Sequence, residues 1–200
     1  KGVGQMKTLV YAFGRMNPPT NGHGKLVQKV KQIAQQNKAD HLIVVSHTQD
    51  KHKNPLSPKR KVAHLKKMFP NTNVKSSDTQ NPNFIRQLAL LSDKYDKVIM
   101  IAGSDRVSEF QRILTKYNGK DFTFDEITVV SAGARDPDAE GVSGMSASKM
   151  RLFVKNNDFK SFKRGLPAGY TGSQSLFNDV KKGMELKENT HYSFSQYIKE

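Results

Sequence analysis

Short apolar runs and helical periodicities alternate along this chain from Thr8 to Val154. A continuous apolar run bounded by turn residues reads as a strand buried on both faces, and apolar residues spaced at three and four read as one face of a helix. Their alternation is how βαβ units look in sequence, because neighbouring parallel strands need a crossover that passes back over the sheet. Thr8–Phe13, His41–Ser46, a short segment at 73–75, Lys97–Ala102 and Ile127–Val130 are the expected strands. Leu26, Val27, Val30, Ile33 and Ala34 mark the first helix. Ser57-Pro58 and Asn81-Pro82 each combine an N-cap with a proline at the first helical position. Their inner faces are expected to be Val62, Leu65 and Phe69, then Phe84, Leu88 and Leu91. Val107, Phe110 and Leu114 mark a fourth helix, and Ser146 or Ser148 caps another through Met150, Leu152 and Val154. Weaker helical spacing follows at 158–162 and 174–180.

The expected fold is therefore α/β: a Rossmann-like, doubly wound, five-stranded parallel sheet over residues 6–155. Residues 156–200 are expected to be a helical C-terminal appendage of the same domain, ending in a polar tail. Ligands of such sheets bind beyond the carboxyl ends of the strands, where the strand order reverses. That directs attention to the loops after Phe13 and Ala102.

The loop Gly14-Arg15-Met16-Asn17-Pro18-Pro19-Thr20-Asn21-Gly22-His23 runs from the first strand straight into a helix. Backbone N–H groups and the macrodipole at such a helix start suit a phosphate. The glycines let main chain approach a ligand and the prolines stiffen the path. The spacing is neither that of a P-loop nor Gly-x-Gly-x-x-Gly. Among the other groups, His47 and His52 lack metal-ligand spacing and no cysteine is present, so no protein-held metal is expected.

Composition bears on partners. Lys and Arg number 33 against 18 Asp and Glu, a net charge of +15. Such a surface attracts polyanions, yet the lysines are spread along the chain and aromatics are only 8%. Phosphorylated small molecules are the expected ligands, with nucleic acid a secondary partner. The absence of cysteine excludes disulfide and thiolate chemistry, and no membrane span or signal segment is expected. The expected compartment is the cytoplasm.

Thr20-Asn21-Gly22-His23, preceded by Gly14-Arg15 and Pro18, resembles the His/Thr-x-Gly-His signature of the HIGH-type nucleotidyltransferase superfamily. Ser143-Gly144-Met145-Ser146-Ala147-Ser148-Lys149-Met150-Arg151 is similar to that family's Ile-Ser-x-Thr-x-x-Arg motif, with Ser148 in the threonine position. Gly103-Ser104-Asp105, and Asn54-Pro55-Leu56-Ser57 with Arg60, resemble segments of its pyridine-nucleotide adenylyltransferases. The resemblance implies transfer of AMP from ATP, with Mg²⁺, to a phosphorylated acceptor, best matched by nicotinamide mononucleotide. Phosphopantetheine or a cytidylyl transfer is the alternative, since Thr20 replaces the usual first histidine of the nicotinamide branch. From another class, a basic nucleic-acid-binding or virion-associated protein on a retained fold is the alternative.

By the same resemblance His23, Thr20 and Arg151 are the expected catalytic residues. Gly14, Arg15, Met16, Asn17, Gly22, Gly103, Asp105, Ser146 and Ser148 are expected at the nucleotide, and Arg15, His47, Asn54 and Arg60 at the acceptor. The ending Ile198-Lys199-Glu200 resembles the Ile/Leu-x-Glu sites of tailed-phage prohead proteases, and Ala134–Asp138 resembles phage-borne members. A phage origin, with a place in the host cytoplasm or the virion, is the corresponding expectation.

Overall fold

The computed structural model describes residues 4, 6–134 and 145–186. Ile198–Glu200, Ser143, Gly144 and the loop from Arg135 lie outside the described residues. Strands β1 (Thr8–Gly14), β2 (Asp40–Val45), β3 (Val74–Ser76), β4 (Lys97–Ala102) and β5 (Glu126–Ser131) form one sheet in the order β3-β2-β1-β4-β5. Every pairing is parallel. The order reverses between β1 and β4, which places the predicted crevice beyond Gly14 and Ala102.

The helices are α1 (Asn21–Gln36), α2 (Pro58–Met68), α3 (Phe84–Ala89), α4 (Val107–Tyr117), α5 (Ala147–Lys155), α6 (Phe159–Arg164) and α7 (Ser173–Gly183). A 3-10 turn at Ser104–Arg106 precedes α4. Alternate strand residues point to opposite faces. Val10, Ala12, Ile43, Val45 and Ile101 pack under Val27 of α1 and Leu65 of α2. Leu9, Tyr11, Val44, Val98 and Met100 pack under Leu88 of α3 and Leu114 of α4. Burial on both faces is why the strands read as unbroken apolar runs.

A third cluster lies off the sheet. Met145, Met150, Val154, Phe162, Leu166, Leu176, Phe177 and Val180 close around Leu56 and Met68. Phe162 meets Phe177 edge to face, with ring centroids 5.2 Å apart. The helices after β5 thus pack on α2 and on the loop before it.

Local differences from the sequence reading have local causes. The inner face of α2 is Lys61, His64, Leu65 and Met68, with Val62 and Phe69 only partly buried. A polar residue on an inner face is invisible to an apolar periodicity. Asn83, not Asn81, caps α3, because Asp78 draws Gln80 and Asn81 into a turn of its own. Ser146 rather than Ser148 caps α5, accepting from the Lys149 N–H at 3.1 Å. Leu152 is exposed, since Met150 and Val154 alone fill the inner turn of that short helix.

β5 is an edge strand, and α4 closes it. The Gln111 carboxamide accepts from the Val129 N–H at 2.9 Å and donates to the Ile127 carbonyl at 3.3 Å. One side chain thereby reproduces the two bonds of a neighbouring parallel strand, which protects the edge from pairing with another chain. Gln111→Leu should destabilise the protein by about 1–2 kcal/mol, read from urea unfolding, with an added tendency to self-associate.

Candidate functional site

Everything at the head of β1 converges on residues 14–23. Gly14 ends the strand, and Arg15 is exposed at its mouth. Met16 has a left-handed backbone (φ 46°), and the Asn17-Pro18 bond is cis. The Met16 side chain is tucked into the first core cluster and Asn17 is only 1% exposed. Asn17 uses its carboxamide on the backbone of Leu56, accepting from its N–H at 2.9 Å and donating to its carbonyl at 3.3 Å. Met16 and Asn17, expected at the nucleotide, thus have both side chains occupied by protein. They shape the loop, and main chain is what they can present to a ligand.

Thr20 caps α1 and is fully buried. Its hydroxyl accepts from the Gly22 N–H at 3.1 Å and donates to the Met145 carbonyl at 2.7 Å. Its own N–H donates to Nδ1 of His23 at 3.0 Å, completing a capping box with histidine in the usual Glu/Gln position. With Nδ1 accepting, the neutral ring carries its proton on Nε2. In Thr20, an expected catalytic residue, the single hydroxyl proton is committed to the Met145 carbonyl. Gly22 is required here, because a Cβ would sit 2.9 Å from the same Met145 carbonyl.

Arg151 reaches back from α5. Its Nη1 donates to the Asn17 carbonyl at 2.8 Å. From the other side Lys61, fully buried, donates through Nζ to the Arg15 carbonyl at 2.6 Å and to the Ser46 carbonyl at 2.7 Å. Burial, then the charge of Arg15, lowers the Lys61 ammonium to about 8. Burial and then Arg15 also lower Arg151, against the opposing pull of Asp50. Three cations thus surround one short stretch of main chain.

Asp50 is held as a firm anion. Its carboxylate accepts from the Asn54 side chain at 2.8 Å and from the N–H groups of Lys53, His52 and Asn54. Those bonds, the Asn54 amide first, keep it well below the usual carboxylate range. Asn54 itself is buried. His47, at the end of β2, takes Ser77 Oγ on both its N–H and Nδ1, each at 3.0 Å.

On the opposite lip, Gly103 opens the 3-10 turn after β4 and Asp105 is exposed on it. The Ser104 N–H donates to the Gly133 carbonyl, joining the loops after β4 and β5. Ser148 is exposed in the first turn of α5.

Gly14, Arg15, Thr20, Gly22, His23, Ser146 and Arg151 are thus gathered at one end of β1. Arg60 is not. Its guanidinium donates from Nε and Nη2 to Asp179 of α7, at 3.0 and 2.7 Å. Two contributors escaped the sequence reading. Lys61 lies one turn before Leu65 and so on the inner face, but lysine is seldom buried and an apolar periodicity does not mark it. Asp50 lies in a polar loop without periodicity, where only the Asp-x-x-x-Asn spacing hints at a turn.

Residues 11–160 match the model of a family described as cytidylyltransferase-like. No curated protein matches the sequence. Among solved structures, Thermotoga maritima TmcAL bound with alpha-thio ATP superposes with a TM-score of 0.52 and 11% identity, over 90% of this chain and 56% of that one. A bifunctional NMN adenylyltransferase/ADP ribose pyrophosphatase from Francisella tularensis gives a TM-score of 0.53 and 14% identity, over 92% and 51%. A macrolide-efflux protein from Streptococcus pneumoniae gives 0.50 and 12%, over 81% and 56%. This chain spans about half the length of those structures, and the likeness is one of fold. Among the described residues no helix is long and apolar enough to cross a membrane.

Two outcomes follow from the site's internal bonds. Thr20→Val should cost about 1–3 kcal/mol in chemical unfolding, because it removes a cap and strands the Met145 carbonyl, whereas Thr20→Ser should keep most of the stability. The lowered Lys61 means the unfolded chain binds its proton more tightly, so stability should rise with pH above about 8. Between pH 8 and about 9.5 the gain should be roughly 1–2 kcal/mol, and Lys61→Met should abolish it.

Proposed function

This chain belongs to the cytidylyltransferase-like family, and we propose that it transfers AMP from ATP to a phosphorylated small acceptor, nicotinamide mononucleotide being the best match. The observation that carries this reading is the crowding of Arg15, Lys61 and Arg151 around the carbonyls of residues 15 and 17. Like charges gathered beside a helix N-terminus are unfavourable until an anion joins them. A triphosphate and a phosphate acceptor are such anions.

The chemistry asks little of the protein beyond placement and charge. An oxygen of the acceptor phosphate attacks the α-phosphorus in line. The bond from that phosphorus to the β-bridging oxygen breaks, and pyrophosphate leaves with the electron pair. The nucleophile is already an anion, so no general base is needed. Negative charge spreads over phosphoryl oxygens in the transition state, where prearranged donors act most strongly. His23 donates through Nε2–H. Arg151 holds the β- and γ-phosphates, helped by Ser146, Ser148 and the N–H groups opening α5. Gly14 lets main chain close on the nucleotide, Gly22 lets the start of α5 close on the start of α1, and Gly103 and Asp105 bound the nucleotide on the far lip. Arg15 meets the acceptor phosphate, with His47 and the Asp50–Asn54 turn on the acceptor side. The substrate is the Mg²⁺ complex of the triphosphate. Likeness in fold to an NMN adenylyltransferase and to a protein holding alpha-thio ATP supports the reading.

The Thr20-Asn21-Gly22-His23 form of the signature favours a second acceptor, phosphopantetheine. Pyrophosphate release measured with ATP or CTP, over nicotinamide mononucleotide, nicotinate mononucleotide, phosphopantetheine and glycerol phosphate, decides between them. The expected result is turnover with ATP and one mononucleotide. His23→Ala and Arg151→Ala should each lower kcat by about 10²–10³-fold. Salt-steep binding of nucleic acid with no turnover for any pair would overturn the reading.

A further inference from the structure

We propose that Lys61 is a positioning residue whose buried ammonium couples binding of the triphosphate to protonation of the protein. The inference rests on the reading above that the crevice takes a triphosphate.

Lys61 is fully buried and ties two strand ends together, the Arg15 carbonyl after β1 and the Ser46 carbonyl after β2. Two carbonyls satisfy both N–H groups of a neutral amine. An ammonium has a third N–H and a full charge to accommodate. Both protonation states therefore hold the loop, but only one adds positive charge beneath the crevice. The residue whose carbonyl it grips, Arg15, also repels it. An anion entering above residues 15–17 reverses that balance: it attracts the ammonium and screens it from Arg15.

The surrounding charges leave Lys61 as the group that responds. On its own helix, Arg60 and His64 are both bonded to Asp179 of α7. From α1, Lys31 donates to the Pro70 carbonyl beyond the far end of α2. β3 turns Val74, not Lys75, toward the α2 side. His47 at the end of β2 is held on Ser77. Across the loop, Asp50 acts on Arg151. The folded Lys61 titrates at about 8.

The sign is definite. An anion binds the protonated form better, so affinity falls as pH rises through about 8, and below that value it levels off. In the bound state the lysine titrates at higher pH, so binding at pH 8–8.5 draws a proton from the buffer.

The probe is ATP with excess Mg²⁺, without acceptor, in calorimetric titrations at about pH 7.5, 8.25 and 9, in buffers of differing ionisation enthalpy. The intact protein should take up a substantial fraction of a proton near pH 8.25, and its Kd should weaken about three- to tenfold from pH 7.5 to 9. Lys61→Met should bind more weakly at pH 7.5, show no uptake and lose the pH dependence. Lys61→Arg should restore affinity at pH 9 while also showing no uptake, which a purely structural role would not produce. Equal uptake in Lys61→Met and the intact protein would overturn the proposal. So would an intact protein that binds ATP with neither uptake nor pH dependence, a result that stands even if the variants fail to fold. Absence of ATP binding at every pH would instead count against the nucleotide reading itself.

Discussion

The carbonyl of Met145 accepts a hydrogen bond from the buried hydroxyl of Thr20, two sequence segments 125 residues apart. The same hydroxyl takes the Gly22 N–H, and Gly22 leaves just enough room for that carbonyl to approach. These contacts bring the start of α5 to the start of α1. The starts of the two helices then lie against one another.

Charge explains why the joint needs so much internal bonding. Arg15 repels both Lys61 and Arg151, and Asp50 attracts Arg151 from a turn that keeps it ionised. A loop in such a field holds its shape because its own polar groups are used up. Asn17 is spent on Leu56, Thr20 on Met145, and Nδ1 of His23 on Thr20. Preorganisation of this kind means that little has to rearrange when an anion meets the loop.

The helices after β5 form the other side of this arrangement. His64 lies between Tyr170 and Asp179, at 2.7 and 2.8 Å, and Asp179 also takes the fork of Arg60. Asn21 adds bonds to the carbonyls of Gly165 and Leu166. α2 and the first turn of α1 are therefore both fastened to the segment that follows α5. Arg60, which in one dimension looks like a substrate contact, takes part in that fastening.

Much of the architecture was legible in the sequence, because strands buried on both faces leave unbroken apolar runs and their crossovers leave helical ones. The parallel sheet, the place of its crevice and the two nucleotidyltransferase-like motifs need no tertiary information, since each is carried by residues close together in the chain. Which polar side chains face the crevice is another matter. Met16 and Asn17 sit inside the first motif yet turn away from it, and Lys61 sits on a helix face that periodicity could not read as inward. Those outcomes depend on partners supplied from elsewhere: Leu56 for Asn17, the ends of β1 and β2 for Lys61, Asp179 for Arg60. The sequence by itself determined the sheet, the loop and the helix start, because backbone and apolar burial follow local pattern. Only the tertiary structure decided which side chains remain for a ligand, because a buried donor is claimed by whichever acceptor the fold brings within reach.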